Sequence, residues 1–361
     1  MNPESEIKLR RRSFLAWCSG VGFGSTLFPN LLWAQSKNGL KSITNEMIDS
    51  AAKLAGLSFS QIDREEMVLG INANLASYKA LRKIRIDQNT PPPIYFNPAV
   101  PGQKFSKKRK PFTQSKRMSV SRPSNLEEIA FWPITDLSQL IESRQVSSEE
   151  LTLMYLKRIK QHDSKLNSVI TLTEKLAIKQ ARKMDREIKA GNYRSSLHGI
   201  PWGAKDVIAK SGYRTTWGAK AYRNQVIDYD ATLVSRLEEA GAVLIAKLST
   251  GEIARGDRWF DKQTRNPWKI NEGSGGSSAG PGSATAAGLV GFSIGSDTTG
   301  SILGPSRTCG ISGLRPTFGR ISRHGVMPVC WSLDKVGPMC RSVEDCAIVF
   351  QSIHGPDNQD L

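Results

Sequence analysis

Apolar positions recur at helical spacing in two early stretches. Met47, Ala51, Leu54 and Ala55 fall on one face. Met67, Ile71, Leu75, Tyr78 and Leu81 fall on another, so the spacing predicts two amphipathic helices within residues 35–97. Pro91-Pro92-Pro93 ends helical structure there. Residues 98–133 are Pro-rich, basic and aperiodic, which reads as a linker or long surface loop. From Ile134 helical and strand patterns alternate. A short helix is expected over 136–141. Ser147 and Glu150 form a capping box that opens a helix with Leu151, Met154, Tyr155 and Ile159 inward. A strand begins at Val169-Ile170, and Glu174–Lys189 reads as an amphipathic helix. Asp230 is placed as the cap of a helix that runs through Ala240 and stops at Gly241, with a buried strand following over 242–246. Such alternation predicts an α/β fold, a sheet covered by helices, over 134–361.

Residues 272–315 break this pattern. Nearly every residue over 273–283 is Gly or Ser, and GSDTTGS follows over 295–301. One reading is a flexible linker. The apolar run over 284–294 argues against it, because it reads as a tightly packed small-residue helix leading into a strand. The other reading is a backbone cradle with a serine nucleophile, since small residues let backbone approach a ligand closely. No Lys follows the glycines as a phosphate loop requires, and no strand leads cleanly into Gly273 as a dinucleotide fingerprint requires.

Four ordered motifs carry a family resemblance. They are Gly203-Ala204-Lys205-Asp206, then Gly275-Gly276-Ser277-Ser278-Ala279-Gly280. Next come Gly295-Ser296-Asp297-Thr298-Thr299-Gly300-Ser301-Ile302 and Cys309-Gly310-Ile311-Ser312-Gly313-Leu314-Arg315-Pro316-Thr317. In this order they resemble the amidase signature enzymes, from roughly Ile134 to the end of the chain. The resemblance implies a mixed sheet sandwiched between helices. It also implies a Ser-Ser-Lys set: Ser301 as nucleophile, Ser277 as the bridging serine after a cis Gly276–Ser277 bond, and Lys205 as base. The backbone N–H groups of Thr298, Thr299, Gly300 and Ser301 would form the oxyanion hole. The implied reaction is hydrolysis of a carboxamide C–N bond in a small molecule, with no cofactor and no metal.

Residue chemistry points the same way. A serine needs a base to take its proton. The chain has four histidines, His162, His198, His324 and His354, none in a nucleophile motif. A lysine serves if burial keeps it neutral. Asp297 reads as an acceptor that holds the turn before Ser301.

The chain departs from the family pattern in three places. Thr299 stands where the family has Gly, and would be strained if that position needs positive φ. Leu303 stands where the family has Arg. The sequence also stops just after the segment 337–345, where the family's domain normally continues. These departures leave a second reading, a catalytically silent scaffold on an amidase fold. A third is an A-type amidotransferase subunit that delivers ammonia to charged tRNA, which an export signal argues against because that chemistry is cytoplasmic. The two helices before the main domain look somewhat like the small helical subunit of such enzymes, but read more simply as a strap packed on the main domain.

Arg10-Arg11-Arg12-Ser13-Phe14-Leu15 and the apolar run that follows read as a twin-arginine signal over residues 1–34, with Leu32-Trp33-Ala34 as cleavage site. Periplasmic or secreted location would follow, with membrane passage through the signal alone. Of five cysteines none forms a C-x-x-C pair, so zinc and thioredoxin-like chemistry are not indicated. A disulfide among Cys330, Cys340 and Cys346 is permitted, and Cys309 reads as a buried thiol. Net charge is +17, partly from the basic run between Lys104 and Arg117. No nucleic-acid motif accompanies that run, so it reads as a solvated loop. The sequence permits a homodimer and carries no signal for or against one.

Overall fold

The computed structural model describes residues 42–85, 102–104, 112–116 and 118–360. The twin-arginine segment, the three prolines and most of the basic run lie outside the described residues. The chain divides into two compact units, Met1–Pro92 and Pro93–Leu361.

Among the described residues the first unit is a helical pair, α1 (Asn45–Leu54) and α2 (Gln61–Leu81). Thr44 caps α1, and Ser60 with Asp63 makes a capping box on α2. The inward face of α1 is Ile48 and Ala52, one position on from the expected stripe, and Leu54 is left exposed. Met67, Ile71 and Leu75 are half-buried as the spacing implies, but Tyr78 and Leu81 are exposed. Two helices can cover only one narrow stripe of each other, so the ends of a long apolar face stay wet.

In the second unit α3 (Ile134–Glu142) and α4 (Ser148–Leu166) lead into β1 (Val169–Leu172) and α5 (Glu174–Lys189). The Ser147–Glu150 capping box opens α4. Next come β2 (Pro201–Lys205), α6 (Thr232–Glu239) and β3 (Val243–Leu248). Two short hairpins follow, β4 (Arg258–Trp259) with β5 (Lys262–Gln263), and β6 (Arg265–Asn266) with β7 (Lys269–Gly273). The small-residue stretch folds as α7 (Ala279–Ala286) and β8 (Phe292–Asp297), then α8 (Leu303–Cys309) and β9 (Ser312–Gly313). β10 (Lys335–Cys340) and α9 (Val343–Ile353) complete it.

The six-stranded sheet has the order β1-β3-β2-β8-β10-β9. β3, β2 and β8 run parallel, and β1, β10 and β9 pair antiparallel, so the sheet is mixed. Every residue of β2 and β3 is buried, which requires cover on both faces. α5 packs on β3, α7 on β8 and its neighbours, and α9 on β10. The fold is α/β, as the alternation implied.

Two boundaries differ from the sequence expectation. The core reaches back past Ile134 to a 3-10 turn, Leu126–Phe131, whose Ile129 and Ala130 are fully buried. The Ala130 carbonyl there accepts a hydrogen bond from Tyr155 Oη. Asp230 does not cap α6. The cap position is Ala231, and the Asp230 carboxylate instead accepts from Lys210 Nζ at 2.5 Å and the Ser211 N–H at 2.8 Å. A mostly buried cation outcompetes a helix end for that carboxylate.

Candidate active site

Parallel strands β2 and β8 end on the same edge of the sheet, where open α/β sheets place ligands. Lys205 is the last residue of β2, and Ser296 and Asp297 are the last two of β8. Two loops close over this edge. One joins β7 to α7 and carries Ser277. The other joins β8 to α8 and carries Ser301.

The first loop follows the cis bond between Gly276 and Ser277. A Cβ on Gly276 would lie 1.8 Å from the Gly256 carbonyl oxygen, so no other residue fits. The Gly251 N–H donates to the Ser277 carbonyl at 3.2 Å. Ser278 ties the two loops together. Its N–H donates to the Ser301 carbonyl at 3.1 Å, and its Oγ donates to the Ser296 carbonyl at 3.0 Å.

Lys205 is fully buried. Its Nζ donates to Ser277 Oγ at 2.8 Å and to Ser296 Oγ at 2.9 Å. Among the described residues no carboxylate lies within ion-pair distance of it. Burial without a counter-ion disfavours the ammonium. Its pKa is accordingly lowered to about 7 by desolvation, with Asp297 and Asp334 opposing the shift from further away. A second buried lysine shows the contrast. Lys247 on β3 lies 2.8 Å from the Asp206 carboxylate, with both side chains fully buried. It also donates to Thr215 Oγ1 at 2.9 Å.

The turn before Ser301 is built on Asp297. One carboxylate oxygen accepts the Gly300 N–H and the other the Ile302 N–H, each at 2.7 Å. Arg315 approaches the same carboxylate at 3.5 Å. Asp297 is thus the structural acceptor the sequence suggested. From β10, Lys335 Nζ donates to the Thr298 carbonyl at 3.0 Å, and the neighbouring Asp334 accepts from Thr298 Oγ1 at 2.5 Å. The turn is pinned from below and from the side.

Gly300 carries the positive φ of this turn, +127°. Thr299 has no positive φ, so the backbone does not strain it. The expected oxyanion set needs one correction. The Gly300 N–H is turned into the Asp297 carboxylate and is not available to a substrate. The N–H groups of Thr298, Thr299 and Ser301 have no acceptor among the described residues.

Lys205 and Ser277 are therefore joined directly. Ser301 is brought alongside through the Ser278 contact, but among the described residues no hydrogen bond joins Ser301 Oγ to Ser277 Oγ. Sequence reasoning missed Ser296 and Ser278. Both sit inside quoted motifs, and only the fold shows that one reaches the lysine and the other bridges the loops. Among the described residues no histidine hydrogen-bonds to Lys205, Ser277 or Ser301. His198, for example, is buried against the Met184 carbonyl, at 3.0 Å from Nε2, and burial lowers its pKa. Cys309, Cys330, Cys340 and Cys346 are free thiols, so the permitted disulfide is not formed.

A family model described as "Amidase" matches residues 150–361. One curated relative is a glutamyl-tRNA(Gln) amidotransferase subunit, of the A type, from Caldanaerobacter subterraneus subsp. tengcongensis. It is 40% identical over 230 residues, covering 63% of this chain and 47% of the relative. The solved peptide amidase of Stenotrophomonas maltophilia is similar at a TM-score of 0.62 and 39% identity, over 65% of this chain and 50% of that one. The solved A-type glutamyl-tRNA(Gln) amidotransferase subunit of Thermotoga maritima is similar at a TM-score of 0.57 and 33% identity, over 64% and 48%. The chain thus spans about half the length of the relatives it matches.

Proposed function

Because the chain belongs to the amidase signature family, we propose that it hydrolyses carboxamide C–N bonds through a serine acyl-enzyme. Ser301 Oγ attacks the carboxamide carbon. Its proton passes to Ser277 Oγ as Ser277 gives its own to neutral Lys205. The tetrahedral oxyanion faces the N–H groups of Thr298, Thr299 and Ser301. The intermediate collapses, and the leaving ammonia or amine takes the proton back along the same path. Water then repeats the sequence on the acyl-enzyme. The observation that carries this reading is Lys205: buried, without a carboxylate partner, with a pKa lowered to about 7, and 2.8 Å from Ser277 Oγ. A serine nucleophile needs a base of that strength near neutral pH. Hydrogen bonds such as Ser301 to Ser277 commonly tighten only when substrate binds.

The test is labelling by a fluorophosphonate probe. A covalent adduct on Ser301, absent in Ser301→Ala, supports the reading. A folded chain that no serine-directed probe labels would favour the silent scaffold, to which the open Ser277–Ser301 gap also belongs. Relatives named as amidotransferase subunits give the third reading the same chemistry with ammonia passed onward. The twin-arginine segment speaks against it, because we propose export to the periplasm. Residues 1–34 fused to a reporter should deliver it outside the cytoplasm only while Arg11 and Arg12 are intact.

A further inference from the structure

A cleft of about 200 Å³ opens beside Ser296, the residue whose Oγ is 2.9 Å from Lys205 Nζ. Its floor on the other side is Lys335, which holds the Thr298 turn. The cleft therefore starts within one side chain of both the base and the N–H groups placed for the oxyanion. Its outer wall is the segment carrying Met327, Val329 and Trp331.

That wall is fixed before any ligand arrives. The Met327 N–H donates to the Val207 carbonyl at 2.9 Å. The Val329 and Cys330 N–H groups donate to one Asp334 oxygen at 2.7 and 2.9 Å. The charged groups around the cleft are committed elsewhere. Both Asp334 oxygens are occupied, the second by Thr298 Oγ1. Arg323 is held by Asp360 through Nε at 2.9 Å and through a terminal nitrogen at 2.7 Å, and it also donates to the Trp331 carbonyl. Lys335 is directed at a backbone carbonyl. His324 also lines the cleft, its ring stacked on Tyr229 and its Nδ1 3.4 Å from Thr232 Oγ1, and the side chains that remain to meet a ligand beside it are apolar, Met327, Val329 and Trp331 among them. Val329 and Trp331 are 48% and 76% exposed, so both side chains are open to a ligand in the cleft.

Resting on the acyl-enzyme reading above, we propose that this cleft binds an apolar substituent of the carboxamide substrate, one ring or one branched aliphatic group in size. An apolar cavity of roughly 150 Å³ accepts a benzene ring, so the volume admits one such group and not two. A carboxylate on that substituent would find no free cation fork here, because Arg323 and Lys335 are already committed.

The experiment measures binding without turnover, in the Ser301→Ala chain, by calorimetry. Phenylacetamide is expected to bind at least about tenfold more tightly than acetamide, the discrimination that a few methylenes in an apolar pocket provide. Succinamate should bind no better than acetamide. Trp331→Ala in the same background should erase the advantage of phenylacetamide. Trp331 is mostly exposed, so its truncation spares the core. Tighter binding of succinamate, or a phenylacetamide advantage unchanged by Trp331→Ala, overturns the proposal. Probe labelling of the wild-type chain separates the two ideas. Labelling without apolar preference sinks the cleft alone, and apolar preference without labelling leaves the cleft standing and sinks the hydrolase reading.

Discussion

Lys205 and Lys247 stand on neighbouring parallel strands, both fully buried, and among the described residues Lys247 has the Asp206 carboxylate as ion partner while Lys205 has none. The pair predicts opposite mutational behaviour. Replacing Lys247 with Met strands the Asp206 charge in the core and should cost about 3–5 kcal/mol of stability by denaturant titration. The loss should be much smaller in the double variant with Asp206→Asn than the two single losses summed. Lys205→Met, in contrast, should abolish acylation and leave stability at pH 7 unchanged or raised by about 0.5–2 kcal/mol, as when a strained functional group is removed. The pH sign follows from linkage. The folded pKa is about 7 and the unfolded value about 10.4. Between them the unfolded chain binds more protons, so this residue's contribution to stability rises with pH across that window. The stabilising effect of Lys205→Met should therefore shrink toward pH 10. If it grows, the lysine is charged in the folded state. Lys205 can be picked out from its motif. Its partner Ser296 and the Lys247–Asp206 pair cannot, because those contacts join strands far apart in sequence.

Among the elements, the two loops over the sheet edge depend on backbone positions more than on side chains. Gly276 faces the Gly256 carbonyl with no room for a Cβ, so Gly276→Ala should displace Ser277 and reduce acylation by at least about 100-fold, the typical effect of misplacing one catalytic group. Asp297 holds the other loop through two N–H groups. Asp297→Asn should destabilise the chain by about 1.5–3 kcal/mol, read as a lower melting temperature, because buried charge-assisted hydrogen bonds are lost. The helices and central strands are legible in the sequence because period and caps are local: the Ser147–Glu150 box and Glu174–Lys189 need nothing beyond their own residues. The expectations that fail do so mostly at positions decided by distant partners. Asp230 has the chemistry of a cap, but Lys210, twenty residues away in sequence, comes within its reach. The Gly300 N–H is a local failure, taken by Asp297 three residues back, the acceptor that also holds the turn. In the helical pair, the stripe on α1 is turned by one residue because a single partner helix selects a narrower face than the sequence offers.

At the scale of the whole molecule, the sheet places Lys205 and Ser296 on one edge, and the thiols are kept out of that chemistry. Burial pushes the Cys309 thiol up to about 12, and Cys340 is raised as well. In the native chain at pH 8, iodoacetamide should modify Cys330, the one half-buried thiol among Cys309, Cys330, Cys340 and Cys346, well before the others. Peptide mass mapping reads the order, and early loss of Cys309 would mean that its surroundings open. The central claim is narrower than the fold: a chain matching about half the length of its relatives carries a working Ser301–Ser277–Lys205 set. The most direct test is the rate of Ser301 labelling by a fluorophosphonate as a function of pH, with the labelled residue identified by mass spectrometry. The account predicts a single adduct on Ser301 whose rate of formation rises with pH through about 7 and is flat above, and which is lost in Lys205→Met. An adduct on another residue, or a rate on Ser301 that ignores both pH and Lys205, would contradict it.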